Sequence, residues 1–402
     1  MNYSYEEVLE FVEQEDVKFI RLAFCDIYGK QKNISIMPGE LPRAFTDGIS
    51  FDASAIAGFG HEEKSDLFLV PIPSTLNILP WRPSHGKVVR MFCEIRHPDG
   101  TPFVYDSRAI LKAAVKRARE QGLLINIGAE FEFYLFKTDE DGYPTIETFD
   151  RAGYMDVAPE DKGENIRREI CLTLLEMGIR PESSHHEDGP GQNEIDFRYS
   201  DPLHAADNAM NFITVVKAAA EHNGLYADFS PKPLPDESGS GMHINLSVSS
   251  MTGGNPTEPF IAGIMAHIRE ITAFLNPCQA SYERLGEHKA PKYITWSPEN
   301  RSQLIRIPAA SGDFQRFELR SPDPMANPYI AYALLIHAGI DGIEKKMTLP
   351  SSTDINLFTA GKEITDKLET LPTSLEEAVA EAQKSDFIAE VLPKGFANLL
   401  NY

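Results

Sequence analysis

Residues 128–136 read GAEFEFYLF, and this stretch decides the fold around it. It is apolar apart from Glu130 and Glu132, which predicts a largely buried strand. Side chains two residues apart on a strand share a face, so both carboxylates point the same way. Adjacent buried carboxylates repel each other unless cations lie near them. The pattern indicates a metal or catalytic site or, alternatively, a solvent-facing strand edge.

Alternating helical and strand patterns on both sides of this stretch predict an α+β chain. Capping boxes at Ser4 with Glu7 and at Ser374 with Glu377 start the first and last helices. Many short strands, prolines and glycines up to Pro102 predict a small N-terminal domain over 1–102 and a large catalytic domain over 103–402. Longer helices are expected at 106–121, 161–177, 203–223, 258–275 and 326–346. Strands are expected at 125–136, 193–199, 242–249, 303–307 and 315–320.

Composition excludes several classes of protein. The 402 residues include 38 Lys+Arg and 60 Asp+Glu, a formal net charge of −22. Such a charge disfavours nucleic acid or an anionic membrane as a partner. With 42% hydrophobic residues the chain is not disordered. There is no signal peptide pattern and no 18-residue apolar run, so we expect a cytoplasmic protein without a membrane span.

Three further segments carry polar residues suited to chemistry. SHHEDGPGQNEIDF (184–197) brings Glu187 and Glu194 around a tight turn, although a surface turn with solvated acids is equally open. DESGSGMHINLSV (236–248) directs His243, Asn245 and Ser247 to one strand face, and a lone histidine there is more often a partly buried structural residue. NRSQLIRIP (300–308) and QRFELRSPDPMANPY (315–329) supply arginines around a carboxylate, which form either an ion-pair ladder or a phosphate site. These arginines and the carboxylate are Arg301, Arg306, Arg316, Glu318 and Arg320.

The segments together predict metal-assisted phosphoryl transfer. Five glutamates and one histidine come from separate strands, and oxygen-rich ligands select Mg²⁺ or Mn²⁺ over zinc. Two such ions beside several arginines suit the phosphates of ATP.

These motifs, together with FDASAIAGF at 51–59, occur in the order and at the spacing of bacterial glutamine synthetases, and the chain resembles that family over almost its whole length. Only 55 residues separate Glu132 from Glu187, which resembles the short subtype without the insertion of the longer one. The resemblance implies a β-grasp-like N-terminal domain and a catalytic domain whose antiparallel strands form a funnel flanked by helices. It also implies stacked hexameric rings, usually a homododecamer, with active sites shared between subunits.

The resemblance also implies roles for single residues. Two or more Mg²⁺ or Mn²⁺ ions are expected per site, the first held by Glu132, Glu187 and Glu194 and the second by Glu130, His243 and Glu318. ATP is expected at Glu182, Asn245, Ser247, Arg306 and Arg316. Glutamate is expected at Gly239, Arg284, Arg301 and Arg320. Asp52 of an adjacent subunit is expected to bind ammonium and take its proton. The implied reaction ligates ammonia to the γ-carboxylate of glutamate through γ-glutamyl phosphate.

Two departures from the family pattern keep other functions open. Ser238 replaces an asparagine beside the substrate's amino group. The flap, RLGEHKAP at 284–291, is one residue shorter than usual and has Lys289 where a glutamate normally guards the ammonium pocket. A cation there repels ammonium, so one alternative is a ligase that uses another small amine. The other alternative is a catalytically silent relative, against which the full set of metal ligands argues.

Overall fold

In the computed structural model, which describes residues 3–60, 62–82, 85–310, 312 and 315–400, the chain divides into two compact units. The first unit comprises residues 1–110 and 173–178, and the second comprises residues 111–172 and 179–402. The predicted outer bounds at residues 1 and 402 lie outside the described residues. The predicted domain boundary at residues 102 and 103 stays a prediction.

Helices and strands are numbered in chain order over the described residues. The helices are α1 Tyr5–Gln14, α2 Leu41–Thr46, α3 Ser107–Glu120, α4 Glu164–Glu176, α5 Pro202–His222, α6 Thr257–Leu275, α7 Gln279–Arg284, α8 Pro328–Glu344, α9 Lys362–Thr365, α10 Leu375–Lys384 and α11 Asp386–Val391. The strands are β1 Val17–Cys25, β2 Gln31–Ile36, β3 Ile49–Asp52, β4 Asp66–Pro71, β5 Asn77–Ile78, β6 Lys87–Arg96, β7 Leu123–Thr138, β8 Pro144–Thr148, β9 Pro181–His186, β10 Gln192–Phe197, β11 Leu225–Asp228, β12 Met242–Ser250, β13 Trp296–Pro298, β14 Ile305–Ile307 and β15 Phe317–Leu319. No described helix is both long enough and apolar enough to cross a membrane.

The first unit contains a sheet in the order β2-β1-β6-β4-β3, with β5 paired to β6. Strands β1 and β6 run parallel, and the other pairs are antiparallel. Ile20 and Leu22 of β1 are fully buried. The turn after β1 forms because the Asp26 carboxylate accepts hydrogen bonds from the amides of Tyr28 (3.0 Å) and Lys30 (2.9 Å).

The second unit is built on a sheet in the order β13-β14-β15-β12-β7-β10-β9, with β8 and β11 also paired to β7. Strand β7 contains the GAEFEFYLF stretch and is hydrogen-bonded to four other strands. The sheet is mixed rather than purely antiparallel as expected, because β13 and β14 run parallel. It brings the segments around Glu194, His243 and Glu318 to one sheet with Glu130 and Glu132.

Helix ends follow the signals in the sequence. Ser4 and Glu7 form the predicted capping box at the start of α1. At α10 only half of the box forms, because Ser374 accepts from the Glu377 amide while the Glu377 carboxylate accepts from Thr373. The glycines after α3, α4 and α5 all adopt positive φ, as C′ residues do; they are Gly122, Gly178 and Gly224.

Helices α6 and α8 pack closely at glycines. A methyl group on Gly263 would lie 2.1 Å from the carbonyl oxygen of Ala338 in α8. One on Gly342 would lie 2.1 Å from the carbonyl oxygen of Pro259 in α6. The absence of side chains at these positions therefore allows the two backbones to approach each other.

Candidate active site

Strand register brings together carboxylates that are far apart in the sequence. Glu130 of β7 lies opposite His243 of β12, and Glu132 lies opposite Glu194 of β10. Glu318 of β15 lies opposite Asn245, two residues along β12 from His243. Because side chains alternate in direction along each strand, these groups share one face of the sheet.

The first cluster consists of Glu130, His243 and Glu318, which have ligand atoms that all lie within 4.8 Å of one another. The His243 Nδ1 atom is 3.4 Å from a Glu130 oxygen and 3.6 Å from a Glu318 oxygen. The other Glu130 oxygen accepts a hydrogen bond from Asn245 at 2.7 Å. The three predicted ligands of the second metal are thus adjacent to each other.

Glu318 is paired with two guanidinium groups. One oxygen lies 2.8 Å from Arg306 Nη1, and the other lies 3.1 Å from Arg320 Nε. Burial alone would raise the pKa of Glu318, but Arg320, His243 and Arg306 together lower it to about 2. This carboxylate is therefore ionised at neutral pH.

The second cluster consists of Glu187, Glu194 and His185. The His185 imidazole lies 3.2 Å from Glu194 and 3.6 Å from Glu187. Burial and the neighbouring carboxylate of Glu132 raise the pKa of Glu187 to about 7. Burial, Asp196 and Glu132 raise the pKa of Glu194 well above its ordinary value. Such crowding of acids is relieved when a cation binds among them.

Glu132 lies beside both clusters. Among the described residues, it is not a member of either three-residue group. One of its oxygens is 4.0 Å from His243 Nε2, and the other accepts a hydrogen bond from the Gly241 amide at 2.7 Å. The family resemblance grouped Glu132 with Glu187 and Glu194, whereas the close group that contains those two residues in the structure includes His185. The first-metal assignment of Glu132 therefore stays a prediction.

Two residues of the close acidic groups, His185 and Asp196, were not predicted as site residues. His185 lies opposite Glu194 across β9 and β10, while the adjacent His186 is buried and bonded to Asp150 at 2.9 Å. Asp196 forms a third close group with Glu130 and Glu194, and burial and Glu130 raise its pKa to about 6. The two-residue spacing from Glu194 to Asp196 is the signal that could have identified Asp196.

Both clusters, apart from the buried Glu318, line a cavity of about 590 Å³, and the described residues that line it all belong to the second unit. Gly239 and all five predicted arginines also line it. Arg284 is buried and donates to the Ser321 carbonyl at 2.8 Å. A methyl group on Gly239 would lie 2.8 Å from Arg284 Cγ and 2.4 Å from the Pro231 carbonyl oxygen, so the arginine packs directly against this glycine. The five arginines are Arg284, Arg301, Arg306, Arg316 and Arg320.

A smaller cavity of about 250 Å³ adjoins the first, with which it shares Glu130, Ser183, Asp196 and Arg316. It is lined by the residues predicted to contact the nucleotide, with the exception of Arg306; they are Glu182, Asn245, Ser247 and Arg316. Arg316 donates to the Asn245 side chain at 2.8 Å.

Asp52, in contrast, belongs to the first unit. It ends strand β3, is exposed, and accepts hydrogen bonds from the amide (2.9 Å) and hydroxyl (2.6 Å) of Ser54. Ser238, in the second unit, contributes its carbonyl as the acceptor for the Tyr134 hydroxyl. The Ser238 side chain takes no part in this hydrogen bond, because the acceptor is the backbone carbonyl.

Comparison with known proteins identifies the relatives of this chain. Residues 16–98 match the family model of the glutamine synthetase β-grasp domain, and residues 104–399 match that of the glutamine synthetase catalytic domain. Glutamine synthetase from Methanosarcina mazei is 46% identical over 96% of this chain and 90% of its own length. The enzyme of that name from Clostridium saccharobutylicum is 44% identical over 97% of this chain and 91% of its own.

Solved structures have the same fold. A GmaS/ADP complex covers 100% of this chain and 94% of its own, with 29% identity and a TM-score of 0.89. A cryo-EM structure of Plasmodium falciparum glutamine synthetase, 22% identical, covers 100% of this chain and 95% of its own with a TM-score of 0.87. These matches confirm the expected α+β class, with a β-grasp domain before the catalytic domain.

Proposed function

Because the chain belongs to the glutamine synthetase family, we propose that it is an ATP-dependent glutamate–ammonia ligase of nitrogen metabolism. Its products are glutamine, ADP and phosphate. The observation that carries this proposal is one cavity that is lined by five of the six predicted metal ligands and by the arginines, two of which are paired with the sixth ligand, Glu318. We further propose a cytoplasmic location, since ATP and glutamate are abundant there.

The donor set suits divalent ions of the Mg²⁺ or Mn²⁺ type. It combines carboxylate oxygens with one imidazole per cluster, and burial together with neighbouring carboxylates raises the pKa values of Glu187 and Glu194. We assign one ion to Glu130, His243 and Glu318 and another to Glu132, Glu187 and Glu194, with His185 beside it. Bound ions would neutralise phosphate charge during phosphoryl transfer.

The arginines then divide between the two substrates. In this proposal Arg284 and Arg320 hold the two carboxylates of glutamate, and Gly239 leaves room beside Arg284. Arg301, Arg306 and Arg316 stabilise the charge that develops on the phosphoryl group as it moves from ATP to the γ-carboxylate. Glu182, Asn245 and Ser247 contact the nucleotide in the smaller cavity.

Ammonia attacks the acyl phosphate in the second step, after ammonium has lost a proton. We assign that proton to Asp52 of a neighbouring subunit. The proposed assembly, by family resemblance, is a homododecamer of stacked hexameric rings. The exposed position of Asp52 at the end of β3 supports this assignment, because its carboxylate is accessible to another chain.

Two alternatives are less well supported. Lys289 motivated the alternative of a ligase for another amine. Its ammonium group forms an ion pair with Asp188, however, and the carboxylate compensates the positive charge. The curated relatives at 41–46% identity are named glutamine synthetases, which also favours ammonia as the acceptor. A catalytically silent relative is disfavoured because five of the six predicted metal ligands line one cavity and the sixth, Glu318, lies 3.6 Å from His243.

An acceptor panel tests the proposal directly. Glutamate-dependent ADP release and product formation are measured with ammonium and with a series of small primary amines, in Mg²⁺ and in Mn²⁺. We expect ammonium to be the preferred acceptor and glutamine the product. Turnover with an amine but not with ammonium would replace this function with the amine ligase. Absence of any glutamate-dependent ADP release would favour the silent relative.

A further inference from the structure

Lys289 contacts residues on two sides of the cavity of about 590 Å³. Its ammonium group forms an ion pair with Asp188, the residue after Glu187. Its carbonyl oxygen accepts a hydrogen bond from Arg320 Nη1 at 3.2 Å. Since Arg320 is also bonded to Glu318, one residue of the flap contacts the neighbours of both carboxylate clusters.

The backbone around Lys289 needs such contacts to keep its shape. His288 and Lys289 have φ values of +39° and +73°, in the left-handed region that residues with side chains rarely adopt. Two hydrogen bonds close the turn, from the Gly286 amide to the Ala290 carbonyl (3.2 Å) and from the Ala290 amide to the Glu287 carbonyl (2.8 Å). Contacts of the Lys289 side chain with residues outside the flap help to hold this conformation.

An aromatic ring adds to the anchorage of the ammonium group. Lys289 Nζ lies 5.2 Å from the centroid of the Tyr154 ring, a cation–π distance. The same ring meets the His185 imidazole edge-on, with centroids 5.4 Å apart. Tyr154, Asp188 and Lys289 all line the cavity, so the flap is attached at the side where Glu187 and Glu194 lie.

We propose that Lys289 is a positioning residue that holds the flap over the cavity, through Asp188 and Tyr154 on one side and Arg320 on the other, and thereby limits the access of water to the acyl phosphate. This inference rests on the proposed function, because it concerns the γ-glutamyl phosphate intermediate. In this proposal Lys289, which stands where the family usually has a glutamate, acts through its ion pair with Asp188 and does not contact the ammonia that attacks the acyl phosphate.

Water and ammonia compete for the same acyl carbon. Attack by water forms a carbon–oxygen bond, breaks the bond from that carbon to the phosphate oxygen, and returns glutamate and phosphate. One proton of the water stays on phosphate and the other goes to solvent. A loosely held flap therefore raises the amount of phosphate released per glutamine formed, most of all when ammonium is scarce.

The test compares Lys289→Met, which removes the charge at similar length, with Lys289→Arg, which retains it. At ammonium concentrations below KM we expect Lys289→Met to raise the ratio of phosphate to glutamine at least threefold, with the ratio returning toward one at saturating ammonium. Lys289→Arg should keep the wild-type ratio. Loss of stability alone would lower both products equally, so an unchanged ratio in Lys289→Met overturns the proposal.

A second measurement needs no turnover. Hydrogen exchange of the 286–290 amides in the ligand-free protein should be faster in Lys289→Met than in wild type, and unchanged in Lys289→Arg. Added salt should speed wild-type exchange toward that of Lys289→Met, because partly exposed ion pairs are screened. Equal exchange in all three proteins overturns the role of Lys289 even if glutamine synthesis is confirmed. Faster exchange with no glutamine synthesis would instead contradict only the proposed reaction.

Discussion

Glu318 differs from Glu187 and Glu194 because its charge is balanced by two arginines. Arg306 and Arg320 each contact one of its oxygens, and its pKa is lowered to about 2. Burial, together with neighbouring carboxylates such as that of Glu132, raises the pKa values of Glu187 and Glu194. The two clusters therefore combine similar ligands with opposite electrostatic surroundings.

Replacing Glu318 with glutamine tests its role. Glu318→Gln keeps the shape of the side chain but removes the anion between two arginines and one ligand of the proposed metal site. We expect glutamate-dependent ADP release at saturating Mg²⁺ to fall at least about 100-fold. Glu140→Gln, a matched change at an exposed turn, should leave the rate unchanged. Near-normal activity of Glu318→Gln would show that the metal assignment is wrong.

At the scale of elements, the packing of α6 against α8 leaves no space for a methyl group. Gly263→Ala would place a carbon atom 2.1 Å from the Ala338 carbonyl oxygen, so the helices must separate. We expect a loss of about 1–3 kcal/mol in the free energy of unfolding, seen as a lower melting temperature. Gly39→Ala is the control, because no atom lies within 4 Å of the added carbon there. Equal melting temperatures for the two variants would contradict this account of the helix pair.

Helix α8 also contains a histidine that resists protonation. His337 is buried, its Nδ1 lies 3.2 Å from Arg117, and burial and Arg117 lower its pKa to about 4. The unfolded chain takes up a proton near pH 6.5, so stability is lost as pH falls from 6.5 toward 4, at about 1.4 kcal/mol per pH unit. Between pH 7.5 and 5.5, melting temperature should therefore fall less in His337→Gln than in wild type.

Two features make that comparison interpretable. The pH range stays above the sequence pI of about 4.9, where the protein would have little net charge. His222→Gln is a matched control on α5, because the His222 side chain is 79% exposed. Parallel pH curves for wild type and His337→Gln would contradict the shifted pKa.

The sequence predicts helices of several turns, and strands in which apolar and polar residues clearly alternate. The five longer helices were all predicted within three residues at each end, because periodicity and C′ glycines mark them. The short helices α2, α7, α9 and α11 were not predicted, since a segment of six residues or fewer spans under two helical turns. The incomplete capping box at Ser374 depends on Thr373 as a competing donor, which the spacing of Ser374 and Glu377 does not reveal.

The candidate site was predictable only in part. The side of β7 on which Glu130 and Glu132 lie follows from alternation, but the distance from Glu130 to His243 and Glu318 depends on the pairing of three strands. The grouping of Glu130, His243 and Glu318 was predicted from the family resemblance, without a prediction of which strands pair. The sequence His185-His186-Glu187 does not reveal which imidazole faces the cavity, because the register of β9 against β10 decides it.

At the scale of the whole molecule, Asp52 and the metal cavity belong to different units of the chain. The proposed sharing of active sites predicts complementation between variants. Asp52→Ala and Glu318→Gln should each be inactive alone, whereas a co-assembled one-to-one mixture should recover about one quarter of wild-type activity. This fraction follows because half of the chains supply an intact cavity and half of their neighbours supply Asp52.

A pair of variants within one cavity is the control for that experiment. Glu318→Gln mixed with Glu132→Ala should stay inactive, because every site then lacks a cavity residue. If the Asp52→Ala and Glu318→Gln mixture is equally inactive although mixed oligomers form, Asp52 does not act across a subunit interface.

Strand β7 sets a limit on how the chain can vary in length. It is 16 residues long and paired with four strands, so Glu130 and Glu132 keep a separation fixed by the pleat, about 7 Å. One residue inserted before Glu130 within β7 would turn both carboxylates to the opposite face of the sheet. Insertions in the exposed turn at 139–142 would leave that face unchanged. Relatives can therefore gain or lose residues at the ends of this strand but not inside it.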